Sequence, residues 1–356
     1  MNWLISWADN DAREANRESD RRGIDWRRVW PFFFIHIVCL AVFIVGWSPI
    51  AVAVAVAAYC IRMFAITAFF HRYFSHKSFK TSRSTQFLFA LLGTASTQRG
   101  PLWWASHHRH HHRNSDEESD IHSPRHGFFQ SHCGWFLSSE NFKTQNHLIK
   151  DFRRFPELVW LDRYDTIVAL AMAVFMWCLG EIIAAWFPAA GTSGWQMLVW
   201  GYFISTVVLI HATLAINSFA HRFGSRRYQT RDQSRNSFLL ALLTLGEGWH
   251  NNHHHYAGAA RQGFFWWEID ISYYCLKLME KMGLVWDLKP VPEHKKWAFV
   301  NQQSREINNS DTVNAAVSWP PLEISKVSLD EGCKEYCKDA DRASSLEQKS
   351  KWRRNK

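Results

Sequence analysis

No C-x-x-C pair occurs in the 356 residues, and the seven cysteines (Cys39, Cys60, Cys133, Cys178, Cys275, Cys333, Cys337) are scattered. Three of them, Cys39, Cys60 and Cys178, fall in apolar runs, so a disulfide framework is excluded and a reducing compartment is expected. Cys333 and Cys337 sit in a charged stretch and read as bystanders. No N-terminal stretch reads as a cleavable signal, because the first apolar run follows charged residues and is long enough to stay as an anchor. Charge is nearly missing from four stretches. Residues 29–47 hold no acid or base except His36, 50–70 only Arg62, 167–187 only Glu181, and 197–210 none. With its flanks, each run approaches the roughly 20 residues of a spanning helix.

The links between these runs, Trp47-Ser48-Pro49 and 188–196, lack Lys and Arg, whereas Arg13, Arg17, Arg21, Arg22, Arg27 and Arg28 precede the first. Basic residues recur through 72–163 and 222–356. The positive-inside rule then puts both termini and the histidine-rich segments on the cytoplasmic side, the inner-membrane arrangement of a bacterial protein. The expected architecture is an all-α integral membrane protein: four transmembrane helices, about 29–47, 49–71, 165–187 and 197–221, in two hairpins under a helical cytoplasmic cap. The net charge of +9 reads as loops beside anionic lipid. No nucleic-acid-binding module is present, so nucleic acid is not an expected partner. The 15% aromatic fraction, with twenty Trp, reads as an interfacial belt.

Histidine is what the chain has in excess. His71 and His76 follow the second run. His108, His111 and His112 form one H-x-x-H-H block and His250, His253 and His254 another. Positions i, i+3 and i+4 share one face of a helix, and imidazole suits iron, zinc or copper. So many imidazoles exceed the needs of one zinc ion, and a two-metal site at a membrane surface is expected. The chain also repeats itself. Phe70-His71-Arg72-Tyr73-Phe74-Ser75 aligns with Ala220-His221-Arg222-Phe223-Gly224-Ser225. Each is followed by a short apolar block, 87–92 or 238–243, then by Trp104 or Trp249 and a triple-histidine block. The blocks are too short to span and read as helices lying on the membrane. The repeat makes His221 a ligand candidate, with Asn217 one turn before it on the same face.

Soluble di-iron bundles use Glu and Glu-x-x-His ligands, and no E-x-x-H stands at the matching places here. A histidine-held iron pair can activate dioxygen to attack an unactivated alkyl chain if water is kept out. A bilayer delivers such a chain naturally.

The words around the boxes carry a resemblance. Phe69-Phe70-His71-Arg72-Tyr73-Phe74-Ser75-His76, Asp120-Ile121-His122-Ser123-Pro124, Gly127 to Trp135, Asn217-Ser218-x2-His221 and Gly246 to His254 resemble the membrane-bound fatty acid desaturases, in particular the delta-9 acyl-CoA (stearoyl-CoA type) branch. Gln98-Arg99-Gly100-Pro101 is similar to its bacterial and plant-like subgroup, which includes enzymes acting on chains in lipids. The resemblance covers roughly 30–290. It implies two iron ions held by His71, His76, His108, His111, His112, His221, His250, His253 and His254, with Asn217 contacting one through water. It also implies a cis double bond placed at carbon 9 of a saturated long-chain acyl-CoA, using O2. Since no His-Pro-Gly-Gly of a fused cytochrome b5 occurs, electrons are expected from a separate ferredoxin, rubredoxin-like protein or cytochrome b5 with its reductase.

The organisation expected is a cytoplasmic N-terminal segment at 1–28, a membrane desaturase domain at 29–304 and a flexible cytoplasmic tail at 305–356. His107, His110 and His255 fall off the i, i+3, i+4 set and read as neighbours of the site. His122, His126 and His132 read as hydrogen-bonding groups of the cap, and His36 and His211 as packing residues. Tyr59 and Met63, bulky beside 51–58, are the candidates for closing a substrate tunnel. Other readings compatible with the boxes are a membrane hydroxylase, a desaturase acting on glycerolipid- or acyl-carrier-protein-bound chains, and a metal transporter.

Overall fold

The computed structural model describes residues 8–11, 24 and 26–298. The expected tail and most of the N-terminal segment lie outside the described residues. Helix α1 (Trp26–Cys39) opens the membrane region. At Leu40 and Ala41 the backbone switches to i→i−3 bonding, Leu40 N–H to Ile37 O and Ala41 N–H to Val38 O. A short turn of helix, Val42–Val45, follows, and Gly46 ends it at φ 65. The continuous span expected over 29–47 is therefore a shorter apolar helix, Val29–Val45.

Among the described residues, three helices are long and apolar enough to cross a membrane. Helix α2 (Pro49–Ser75) starts with Pro at its first position, where the missing N–H costs nothing, and Ser48 Oγ accepts from Ala51 N–H at 3.2 Å. From Ala65 to Ser75 its turns widen to the π form. Ser75 Oγ donates to Phe70 O at 2.8 Å across one of these turns. Wide turns of this kind cluster at functional sites, and this one carries His71. Helix α3 (Arg83–Thr94) is capped by Ser82, and α4 (Pro101–Asn114) again begins on Pro. After α5 (Pro156–Arg163) come α6 (Asp165–Trp186) and α7 (Gly194–Ser218), the other two long apolar helices. Helices α8 (Phe238–Leu243), α9 (His250–His255) and α10 (Ile271–Lys281) complete the cap. The short apolar blocks expected to lie on the membrane are α3 and α8. Leu239 of α8 stays 66% exposed.

The all-helical expectation needs one small correction. Strand β1 (Lys80–Thr81) pairs antiparallel with β2 (Val285–Trp286), Lys80 opposite Trp286 and Thr81 opposite Val285. Lys289 N–H donates to Ser78 O nearby, so the pair ties the end of the cap to the segment leaving α2.

The core lies where α2 meets the cap. Phe69, Phe70, Phe74 and Phe79 are buried with Leu102, Leu158 and Leu276, and Phe69 stacks on Phe89 at 4.1 Å. Helices α2 and α3 approach so closely that a Cβ at Gly93 would lie 2.2 Å from the Phe70 ring. Arg62, at 1% exposure, meets no carboxylate among the described residues. It donates to Ala58 O, Ala95 O, Thr206 Oγ1 and Ser205 Oγ, so an intramembrane cation staples α2 to α7 through neutral acceptors.

Helix α1 is held to α7 by polar contacts at both ends. His36 Nε2 lies 2.8 Å from His211 Nε2, whose Nδ1 lies 2.9 Å from His132 Nε2. At the far end, Gln196 Nε2 donates to Val45 O and Trp200 Nε1 to Gly46 O. The packing role expected for His36 and His211 thus takes the form of a hydrogen-bonded chain, with His132 as its third member.

Candidate metal centre

The nine histidines singled out in the sequence fall into two groups. His71, His76, His108, His112 and His253 bring one ring nitrogen each to within 4.8 Å of one another, and His111, His221, His250 and His254 do the same. The geometry follows from two facing helices. Helix α4 sends His108 and His112, its i and i+4 pair, to the first group and His111 to the second. Helix α9 does the converse, sending His253 to the first and His250 with His254 to the second. His71 and His221, equivalent in the repeat, stand one in each group.

Within the first group His253 Nε2 lies 3.0 Å from His71 Nε2 and 2.9 Å from His112 Nε2, and His76 Nε2 lies 2.9 Å from His108 Nε2. In the second, His221 Nε2 and His250 Nε2 are 3.0 Å apart, while the Nε2 atoms of His111 and His254 are buried with no hydrogen-bond partner. Buried ring nitrogens left unpaired are costly. A cation accepting their lone pairs relieves that cost, so the donor set fits metal ions.

Four carboxylates on the outer sides fix the rings. His111 Nδ1 lies 2.9 Å from Asp120, His254 Nδ1 2.5 Å from Asp232 and His221 Nδ1 3.0 Å from Asp116, and His71 Nδ1 pairs with Glu247. An acceptor at Nδ1 holds the proton there and leaves Nε2 as a free ligand atom facing its group. Sequence reasoning gave these acids no role, since they arrive on loops, and Asp116 is held at φ 61. Asp116 is also fastened from outside by Gln233 N–H at 2.5 Å.

Burial, then the crowding of neighbouring imidazoles, pushes His76, His108, His112, His250 and His253 well below the ordinary histidine range. His254 falls to about 4 through burial, against the pull of Asp232. For His111 burial also acts downward, but Asp120 outweighs it and the net shift is upward. Most of the set is thus neutral near neutral pH, the form that binds metal.

Several of the remaining histidines make other bonds. His107 Nε2 donates to Lys143 O at 3.2 Å, and His122 Nδ1 lies 3.2 Å from Asp120. His255 Nε2 donates to Lys295 O at 3.0 Å while its ring stacks on Tyr228 at 4.1 Å. Asn217 makes no hydrogen bond to a histidine of either group. It lines, with His108, an apolar cavity of about 350 Å3 bounded by α1, α6 and α7. Trp104, stacked on His108 at 5.1 Å, is part of the same wall.

Tyr59 and Met63 do not line this cavity. The Tyr59 hydroxyl donates to Leu243 O of α8, and Met63 is buried in the core with Phe69. Tyr59 thus meets α8 and Met63 the core, while Tyr202 and Phe203 of α7 are among the large side chains lining the cavity.

Comparison with known proteins agrees with this arrangement. The fatty acid desaturase family profile matches residues 45–264. An acyl-CoA 5-desaturase of Anemone leveillei is 35% identical over 298 residues, covering 78% of this chain and 87% of that protein. The sn-1 stearoyl-lipid 9-desaturase of Anabaena variabilis is 35% identical over 274 residues, covering 76% and 96%. The delta-9 acyl-lipid desaturase 1 of Arabidopsis thaliana is 34% identical over 285 residues, covering 80% and 90%. With a profile over more than half its length and full-length relatives at this identity, the chain belongs to the fatty acid desaturase family.

Proposed function

We propose that the protein inserts a cis double bond at carbon 9 of a long saturated acyl chain, using dioxygen and two electrons from a separate donor. The observation that carries this reading is two buried sets of converging imidazoles beside an apolar cavity that reaches His108. His71, His76, His108, His112 and His253 would hold one iron, and His111, His221, His250 and His254 the other, with Asn217 contacting one through water. Bound there, the iron pair would supply the oxidising power needed to remove hydrogen from two adjacent methylenes.

The protein's own groups do the rest. Asp116, Asp120, Asp232 and Glu247 hold the proton of each paired ring at Nδ1 and so keep Nε2 as the ligand atom. The cavity wall excludes water from the reacting carbons. Methylenes are chemically alike, so only the position at which the wall holds the chain selects one carbon pair. Four spans, with both termini and the histidines on the cytoplasmic side of a bacterial inner membrane, would let a ferredoxin, rubredoxin-like protein or cytochrome b5 reach the site from water. Relatives are named for acyl-CoA and for acyl-lipid substrates, so the stearoyl-CoA expected from the sequence and a stearoyl glycerolipid are the two substrates to test.

The test is reconstitution with ferrous iron, reductase, ferredoxin and each stearoyl substrate, followed by mapping of the double bond. A carbon-9 cis alkene with about two irons per chain is expected. A hydroxylated chain without alkene would make the protein a hydroxylase, and metal uptake without any change in lipid would make it a metal-handling protein.

A further inference from the structure

The cavity reaching His108 is bounded on one side by α1 and on the other by α6, with α7 between them as its floor. Helix α1 meets the floor through His36 on His211 and the Phe34 ring on Phe203 at 6.3 Å, and the segment after it offers the Val45 and Gly46 carbonyls to Gln196 and Trp200; α1 also packs through Phe32 on Phe136 at 5.1 Å and Val29 on Leu137 and Phe142. Among the described residues no hydrogen bond or ring contact joins α1 to α6. The two walls therefore stand apart. Two lining residues are also strongly exposed, Phe34 of α1 at 46% and Leu170 of α6 at 61%. A residue that both lines a cavity and faces outward marks a mouth. Both belong to apolar runs, so this mouth opens toward acyl chains rather than toward water.

The rim points to the carrier. Pro31, Phe34, Leu170 and Ala173 bring no charge to it, and the charged residues of the cavity lining, Arg99 and Asp165, pair with each other at 3.0 Å. A coenzyme A thioester carries several phosphate charges and would have to be drawn into the membrane to present its chain here. A chain esterified to a bilayer glycerolipid already lies at this depth, and sideways diffusion suffices to bring it in. We propose that the gap between α1 and α6 is a lateral portal through which an acyl chain still attached to a membrane glycerolipid reaches the cavity beside His108. This rests on the desaturase reading and names the carrier within it.

The portal is tested by occupancy, without iron. The full chain is placed in nanodiscs containing phosphatidylglycerol whose stearoyl chain bears a mid-chain diazirine. After irradiation, the labelled residues are mapped by mass spectrometry. Label is expected on inner-wall residues such as Trp104 and Thr213. It should fall several-fold in Leu170→Trp, which fills the mouth from a position that tolerates bulk, and persist in Leu170→Ala. Diazirine-bearing stearoyl-CoA should label those residues weakly in every variant.

Inner-wall labelling by the lipid that is unchanged in Leu170→Trp, or equal and Leu170-independent labelling by the thioester, would overturn the portal. Lipid labelling confined to the outer surface would overturn it too. If labelling follows the portal pattern but the iron-loaded protein forms no alkene on any stearoyl substrate, the portal stands and the desaturase reading falls.

Discussion

An imidazole binds metal with the nitrogen that carries no proton, so whatever holds the proton on the other nitrogen sets the ligand. Asp232 does this for His254 at 2.5 Å and Asp120 for His111 at 2.9 Å. Replacing Asp232 with Asn keeps the shape but lets the amide offer a donor where an acceptor is needed. We expect Asp232→Asn to weaken iron binding by about 10–100-fold, read by competition with a chelator, while the thermal midpoint of the iron-free protein moves little. Unchanged affinity would show that ring packing alone orients His254.

The same scale separates His221 from His255. His221 is buried against His250 and Asp116, whereas His255 spends its Nε2 on the Lys295 carbonyl and its ring on Tyr228. His221→Ala should lower bound iron and abolish desaturation, and His255→Ala should retain substantial activity. The opposite order in purified variants would refute the assignment of His221. Eight of the imidazoles were legible as candidates from the spacing of the boxes, His221 from the repeat, and the set of nine from the family resemblance. Their division into five and four was not, because it depends on two histidine helices facing each other across the site. The carboxylates were hidden for a related reason, since Asp116 and Asp232 reach their rings from irregular loops without a periodic signature.

Among the elements, the joint between α2 and the cap holds a buried ionic set. Arg72, 1% exposed, meets Asp270 and Glu247 at 3.0 and 3.2 Å and donates to Ala260 O. Removing one member of a buried ionic set leaves the others unpaired. Arg72→Ala should therefore destabilise the protein by about 3–5 kcal/mol, seen as a lower thermal midpoint in detergent even without metal. Gly246 serves the same joint. Its φ is +129, and an added Cβ would lie 2.4 Å from Asp270 Oδ1. Gly246→Ala should thus lower the midpoint as well, and a neutral outcome would mean that the loop relaxes freely. The long helices were legible as apolar runs, but the break at Leu40–Ala41 was not. No Gly or Pro marks it, and an absence of charge says nothing about backbone hydrogen bonding.

For the molecule as a whole, the described residues, which end at 298, hold every imidazole of both groups, the three long apolar helices and the β1–β2 clasp. A chain ending after residue 304 should therefore keep its iron and part of its activity. An iron-free or aggregated product would show that the later residues support the cap. The crossed supply of ligands has a further consequence. Since α4 and α9 each serve both groups, an ion captured by one group draws the two helices together and brings the other group's nitrogens into register. Loading should then be sigmoidal, with singly occupied protein scarce at half saturation, and chelators should strip both ions in one step. Two independent, well-separated binding phases would mean that the helices are already rigid before metal arrives.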